Sequence, residues 1–420
     1  MTIGNELFQQ LERELADWSA DGLYRPRRVV EPLPGGRCRI EGRELIDFSR
    51  NDYLGLSHHP RVVQAARSVL GDPPPSDFAR QTVDPTAALA KCLGATASAQ
   101  VSGRTPAMAE LEAAIAEFEG TEDALVFPSG FAANVGTISA LAGRDDLLLC
   151  DRLNHASLID GARLSGATLR VYRHDRLDRL ERALRNASGY RRRFVVTDTV
   201  FSMDGRVAPL RDLCDLADRF EATLIVDEAH ATGVFGPHGR GIVEELGLED
   251  RIAVRVGTLS KAVAALGGFV AGSRTLIEYL RQFARPYVYS TALPPCVCAA
   301  ARAALEVIRT EPQLRQRLRR GSAETASALR SAGVPVADDV RGPIVPILLR
   351  DNELACRLGE ALFNHGLFVP AIRPPTVPRG TARLRISLSA AHRQQDLQRL
   401  RRTLIALLSR ETGPEPSDDG

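Results

Sequence analysis

At 420 residues, 44% of them hydrophobic and 25% charged, the chain has the composition of a globular protein long enough for a large domain with a smaller one beside it. Its net charge of +2 gives no electrostatic case for a nucleic-acid partner. No stretch approaches the roughly 18 to 20 uninterrupted apolar residues of a membrane span, and the start lacks the basic and apolar regions of a secretion signal, so the chain reads as cytoplasmic with no membrane partner.

In chain order, residues 1 to 20 form an amphipathic pattern, with Leu7, Leu11, Leu15 and Trp18 on one helical face, and read as a docking arm. Ile40 to Phe48 reads as a short strand pair, and a helix begins near Pro60 after the turn Asn51-Asp52-Tyr53-Leu54-Gly55-Leu56. The segment from Gly71 to Asp84, with Pro73, Pro74 and Pro75, reads as an irregular insertion. Thr105-Pro106 supplies an N-cap and an N1 proline for a helix running to Glu119, with Gly120 as its stop. Apolar strands then recur at Ala124 to Phe127, Leu147 to Cys150, Leu169 to Tyr172, Phe194 to Thr197, Thr223 to Val226, Ala253 to Val256 and Gly268 to Ala271. Helical stretches separate most of them, the pattern of a mostly parallel sheet covered on both faces. From about Pro294 the chain changes to long Arg-rich helices, strands at Ile344 to Leu349 and Arg383 to Leu388, and a helix from Gln394 to Ser409. The expected division is an arm and small segment over 1–50, a large α/β domain over 51–293, a C-terminal α+β domain over 294–412 and a disordered tail over 413–420.

Seven cysteines are scattered without metal-ligand spacing; Cys296-Val297-Cys298 reads as core or helix-face packing, and no metal site is supported. The basic runs Arg25 to Arg28, Arg191 to Arg193 and Arg315 to Arg320 read as solvated faces. Of the 54 basic residues only Lys91 and Lys261 are lysines. Lys91 has no motif around it, whereas Lys261 ends the run Val256-Gly257-Thr258-Leu259-Ser260-Lys261. Arginine stays protonated, but a lysine amine can lose its proton and form a Schiff base with a carbonyl.

In open α/β sheets ligands bind past the carboxyl ends of strands. There stand Ser129-Gly130-Phe131 after the first strand of the series, Asn154-His155 after the second, Asp227-Glu228-Ala229-His230 after the fifth and Lys261 after the sixth. Singly these read as caps, turns or satisfied histidines. Together they provide a lysine, a carboxylate, an aromatic face and helix N-terminal amides, the set that pyridoxal phosphate requires.

Six segments, Asn51 to Leu56, Ser129 to Asn134, Asn154 to Ser157, Val200 to Gly205, Asp227 to His230 and Gly257 to Lys261, resemble in order the signatures of the α-oxoamine synthases. These are fold-type I pyridoxal-phosphate transferases that condense an amino acid with an acyl thioester, and the resemblance runs from about Asp47 to His392. It implies a mostly parallel central sheet with a smaller C-terminal α+β domain and pyridoxal 5'-phosphate as cofactor. Lys261 is implied as the Schiff-base lysine, Asp227 as the partner of the pyridinium nitrogen and His155 as the stacking ring. His230 and Ser202 are implied near the phenolic oxygen, and Gly130, Phe131 and Thr258 at the phosphate. Ser290 and Thr291 are implied to reach the phosphate of the neighbouring subunit, hence a homodimer with shared active sites.

The run from Ala371 to Pro378, followed by Gly380 to Arg385, resembles the family's biotin-pathway branch, which condenses L-alanine with a pimeloyl thioester of coenzyme A or acyl carrier protein. Arg385 is implied to clamp the amino-acid carboxylate, an arginine fork suiting that planar partner, and Arg25, Asn51 and Thr376 to contact substrate. The plain alternative for Arg385 is a surface arginine on an edge strand. The loop from Gly94 to Gly103, Ala231 and Asp198 depart from the usual family pattern, which leaves glycine C-acetyltransferase or another amino-ketone synthase as runner-up. A cofactor-free binding scaffold on the same fold is the rival from a different class.

Overall fold

A computed structural model describes residues 3–70 and 92–412. The proline-rich insertion, Lys91 and the tail from 413 lie outside the described residues. Two compact units emerge, one from residues 1–50 with 321–420 and one from residues 51–320. The expected boundary at 293 falls before the helix Pro295–Thr310, which packs on the helices Pro60–Leu70 and Pro106–Glu119 and therefore belongs to the second unit.

In the first unit the amphipathic pattern forms the helix Ile3–Ala20, with Leu7, Leu11, Leu15 and Trp18 exposed on it. Strands β1 (Glu31–Leu33), β2 (Arg37–Ile40) and β3 (Arg43–Asp47) form an antiparallel meander, one strand more than the expected pair.

The second unit carries β4 (Asp123–Phe127), β5 (Leu147–Asp151), β6 (Thr168–Tyr172), β7 (Arg193–Asp198), β8 (Thr223–Asp227), β9 (Val254–Thr258) and β10 (Gly268–Gly272). All seven expected strands are present, in the order β4-β10-β9-β8-β7-β5-β6. Only β10 runs against the others, so six carboxyl ends share one edge. All but the edge strand β6 are buried along nearly their whole length and mostly apolar, as in a mostly parallel sheet with helices on both faces. Gly257 leaves room for a neighbour: a Cβ there would meet the Phe269 ring at 2.2 Å. Burial of Phe269 in that space is worth about 2–3 kcal/mol. The helix Pro106–Glu119 has the expected caps, Thr105 accepting from the Met108 N–H and Gly120 closing it in the left-handed conformation.

The first unit resumes with β11 (Ile344–Arg350), β12 (Leu367–Phe368), β13 (Ala371–Ile372) and β14 (Ala382–Ser387). β12 pairs in parallel with β3, and β11, β14 and β13 form a sheet with β14 in the middle. Cys38, Ile40, Leu45 and Phe363 make a small core between the meander and the helix Asn352–Asn364. The guanidinium of Arg28 lies 4.6 Å from the Phe363 ring centroid and that of Arg43 lies 5.0 Å from it.

The basic runs are not simply solvated. Arg315 is buried, donating to the carbonyls of Ile308 and Pro237, and Arg191 grips Asp146 with two hydrogen bonds of 3.0 and 2.7 Å. A guanidinium's five fixed donors saturate buried acceptors at such joints, and a charge count along the sequence does not register them.

Candidate active site

The shared edge of six strands is where the second unit concentrates polar side chains. At the end of β8, Asp227 is buried, its Oδ1 accepting from the Ala229 N–H at 2.8 Å and its Oδ2 from Asn134 Nδ2 at 2.6 Å. Asn134 also donates to Ser157 Oγ at 2.9 Å, and Ser157 Oγ lies 2.7 Å from His155 Nδ1. One amide therefore ties the carboxylate after β8 to the imidazole after β5. Asn134 reaches both from the helix Gly130–Leu141, and Gly161 lets the helix Ala156–Leu164 approach: a Cβ there would lie 3.1 Å from Val135 Cα.

His155 is exposed, its backbone N–H donating to Asp198 Oδ2 at 2.9 Å. Desolvation pulls its imidazole below the ordinary value; Asp227 opposes that shift and Lys261 adds to it, which favours a neutral ring. Asp198 is the register partner of Asp227 across β7 and β8. Burial pushes its carboxyl well above the usual range, and the neighbouring Asp227 pushes the same way.

His230 is buried with Nδ1 2.7 Å from the hydroxyl of Tyr53, which in turn donates to Asn51 Oδ1 at 3.0 Å. Ser202 stands in the turn after β7, drawn to β8 by Thr199, whose N–H donates to the Asp227 carbonyl at 2.9 Å. Glu228, next to Asp227, faces away into a clamp: it accepts from Thr199 Oγ1 and from the Ile242 and Val243 N–H groups at 2.8, 3.1 and 2.8 Å.

Beside β9, Ser129 caps the helix Gly130–Leu141, its Oγ accepting from the Ala132 N–H at 3.0 Å, which leaves the Gly130 and Phe131 N–H groups at the helix start. A Cβ on Gly130 would lie 3.0 Å from Thr258 Oγ1, so the helix start and that hydroxyl touch the same small volume. Thr258 Oγ1 is 2.8 Å from Ser260 Oγ and donates to the Gly267 carbonyl at 3.0 Å. Lys261 follows, half-buried, in a turn closed by the Ala264 N–H donating to its carbonyl at 2.9 Å. The fold thus brings together Lys261, Asp227, His155, His230, Ser202, Thr258, Gly130 and Phe131 at one sheet edge. Ser290 and Thr291 follow the helix Arg285–Tyr289, Thr291 bridging to Ser98 of the same chain.

These groups fit pyridoxal phosphate: a helix start with open amides beside a hydroxyl, a buried carboxylate held in place by two donors, and an exposed aromatic face over them. Among the described residues no cluster of His, Cys, Asp or Glu is arranged to hold a metal ion, and no helix is long and apolar enough to cross a membrane.

In the first unit Arg25 and Thr376 meet directly, Arg25 Nη2 donating to Thr376 Oγ1 at 3.2 Å and to the Pro374 carbonyl at 3.0 Å. Arg385 is buried on the central strand β14 and donates to Ser387 Oγ at 2.6 Å, which removes the edge-strand alternative. The partners that sequence reasoning did not single out are Asn134, Ser157 and Tyr53. Asn134, Ser157 and Tyr53 lie inside quoted motifs, which was the available signal.

A family model for aminotransferases of class I and II matches residues 43–404. The 8-amino-7-oxononanoate synthase of Anaeromyxobacter sp. (strain K) is 45% identical over 97% of this chain and 97% of its own length. Serine palmitoyltransferase of S. paucimobilis, solved as the K265A variant with a bound PLP–myriocin aldimine, is similar with a TM-score of 0.87 and 31% identity, over 98% of this chain and 100% of that one. The 8-amino-7-oxononanoate synthase of Francisella tularensis is similar with a TM-score of 0.70 and 29% identity, over 87% of this chain and 98% of that one.

Proposed function

The chain belongs to the aminotransferase class I and II family and, within it, to the α-oxoamine synthases, and from that premise we propose that it condenses L-alanine with a pimeloyl thioester. The products are 8-amino-7-oxononanoate, carbon dioxide and the free thiol of coenzyme A or acyl carrier protein, a step of biotin biosynthesis. Identity of 45% to an 8-amino-7-oxononanoate synthase, against 31% to a serine palmitoyltransferase, supports this choice of substrates. So does the run from Ala371 to Pro378. The single observation that carries the chemistry is the Asn134-braced Asp227 carboxylate on the strand next to the one that ends in the Lys261 turn.

The enzyme is a pyridoxal-phosphate-dependent C-acyltransferase, and the bound cofactor supplies an electron sink for a carbanion at the amino-acid Cα. Lys261 would hold the cofactor through its amine, and its free amine would be the base for the Cα proton. Asp227 would pair with the ring nitrogen, and Asn134 and Ala229 keep it oriented. His155 presents its exposed face to the ring. The Gly130 and Phe131 N–H groups would hold the phosphate, joined by the Thr258 hydroxyl once its proton turns from the Gly267 carbonyl, and Ser202 and His230 would serve the phenolic oxygen. Arg385 takes the alanine carboxylate, and Asn51, Arg25 and Thr376 serve the acyl substrate.

The active form is a homodimer in which Ser290 and Thr291 complete the partner's phosphate site. Exposed apolar side chains at Val101, Phe131 and Tyr289 support that reading, since they stand on three segments packed on one another and a contiguous apolar patch left in water marks a contact surface.

A turnover panel tests the function: alanine, glycine and serine, each with pimeloyl, acetyl and succinyl thioesters. Alanine with pimeloyl is expected to lead, and preference for any other pair would move the chain to a different amino-ketone synthase.

A further inference from the structure

The line of hydrogen bonds from Asp227 to His155 has a fixed direction. A carboxylate can only accept, so the Asn134 atom 2.6 Å from Asp227 Oδ2 is the amide nitrogen, and the same Nδ2 lies 2.9 Å from Ser157 Oγ. The turned amide would set its carbonyl oxygen against the carboxylate and lose both bonds. Ser157 is fully buried, and its hydroxyl has one proton. Its oxygen already accepts from Asn134, which sends that proton to His155 Nδ1 at 2.7 Å. A backbone amide, which never accepts, reports independently on the same nitrogen. The Ser157 N–H donates to His155 Nδ1 at 3.3 Å, the imidazole serving as N-cap of the helix Ala156–Leu164. Two donors converge on Nδ1, so that nitrogen carries the lone pair and the ring proton sits on Nε2. Desolvation of the ring acts in the same sense by keeping a second proton away.

We propose that Asn134 and Ser157 are positioning residues that hold His155 as the Nε2–H tautomer, which makes it a hydrogen-bond donor and not a base toward bound substrate. The consequence for the reaction rests on the reading of the site given above, in which His155 and Asp227 flank the cofactor; the tautomer itself rests on the bonds alone. The negative charge of Asp227 sets the amide of Asn134, the amide sets the hydroxyl of Ser157, and the hydroxyl sets the ring, with no proton changing owner. A histidine locked in this way has no lone pair to offer the Cα proton, which leaves that task to Lys261.

The test is nitrogen-15 NMR of the histidine side chains in the full chain, without cofactor and after loading with pyridoxal phosphate, the His155 signals being identified by their loss in His155→Gln. The wild type is expected to hold His155 as the Nε2–H form in both states. In Ser157→Ala only the longer backbone bond to Nδ1 remains, so the ratio of Nε2–H to Nδ1–H should fall by about fivefold, the factor that one net hydrogen bond carries. Asp227→Asn reaches the ring from farther away. Its oxygen keeps the Ala229 N–H and its amide nitrogen takes the place of Oδ2, so Asn134 turns, Ser157 donates to Asn134, and the serine oxygen is open to Nδ1–H. The ratio should again fall by about fivefold. With Asn134→Leu already in place, Asp227→Asn should change it no further. An unchanged ratio in Asp227→Asn, or a fall of equal size in the Asn134→Leu background, would overturn the relay, as would a wild type in the Nδ1–H form. The expected tautomers in a protein that stays colourless with pyridoxal phosphate would instead overturn the reading of the site and leave the relay standing.

Discussion

Gly268 touches no ligand in the proposed mechanism, yet replacing it should cost most of the cofactor affinity. It opens β10, and a Cβ there would lie 2.5 Å from the Ser129 carbonyl oxygen and 2.6 Å from Gly130 N and Cα. Ordinary contact begins near 3.4 Å, so in Gly268→Ala the start of the helix Gly130–Leu141 must retreat by about 0.8 Å, since the obstructing atoms are backbone and cannot rotate aside. Hydrogen bonds of about 2.9 Å from the Gly130 and Phe131 N–H groups to a phosphate would stretch past about 3.5 Å. Each charge-assisted bond is worth about 1.5–3 kcal/mol. With partial relaxation, a loss of about 3 kcal/mol is expected, or roughly 100-fold in dissociation constant. Equilibrium dialysis of pyridoxal phosphate against the cofactor-free protein measures it. Gly272→Ala, at the other end of the same strand, is the control: its nearest obstruction is the flexible Leu276 side chain, at 2.7 Å, so it should lower stability and spare affinity. A folded Gly268→Ala protein that binds within about threefold of wild type would refute the cradle.

Two other outcomes follow from buried charge. Burial pushes the Glu119 carboxyl up to about 8, the nearby Arg255 opposing that shift, so the native state binds more protons than the unfolded chain above the ordinary carboxyl value. Stability should therefore fall as pH rises from about 4.5 to 8. Glu119→Gln should remove that slope and gain on wild type by about 2–5 kcal/mol at the alkaline end, read from urea melts across the range; parallel curves would show that Glu119 stays ionised beside Arg255. Ser387→Ala removes the 2.6 Å brace on Arg385 and should raise KM for alanine by about tenfold with little change in kcat. A change confined to kcat would place Arg385 elsewhere in the reaction.

Strands β4 to β10 were legible because the buried strands of a mostly parallel sheet are short apolar runs, and the acids, histidines and lysine stand at or just past their ends. The caps of the helix Pro106–Glu119 were legible for a similar reason, since Thr-Pro and Gly act on their own neighbours. The bracing of those residues was not. Asn134 and Asp227 are 93 positions apart and Tyr53 and His230 are 177 apart, and neither asparagine nor tyrosine announces a partner through spacing. Arg315 failed in the opposite way: its run reads as solvated because local charge pattern is silent about distant carbonyl acceptors.

The scarcity of lysine has a practical side. With only Lys91 and Lys261 among 420 residues, amine-selective reagents meet a chain with just two side-chain amines besides its N-terminus. Reductive labelling with an isotopically marked hydride donor would therefore report occupancy of the Lys261 turn directly on the intact mass. The chain thus carries a native handle for following cofactor loading in mixtures where colour is masked, with no engineered tag.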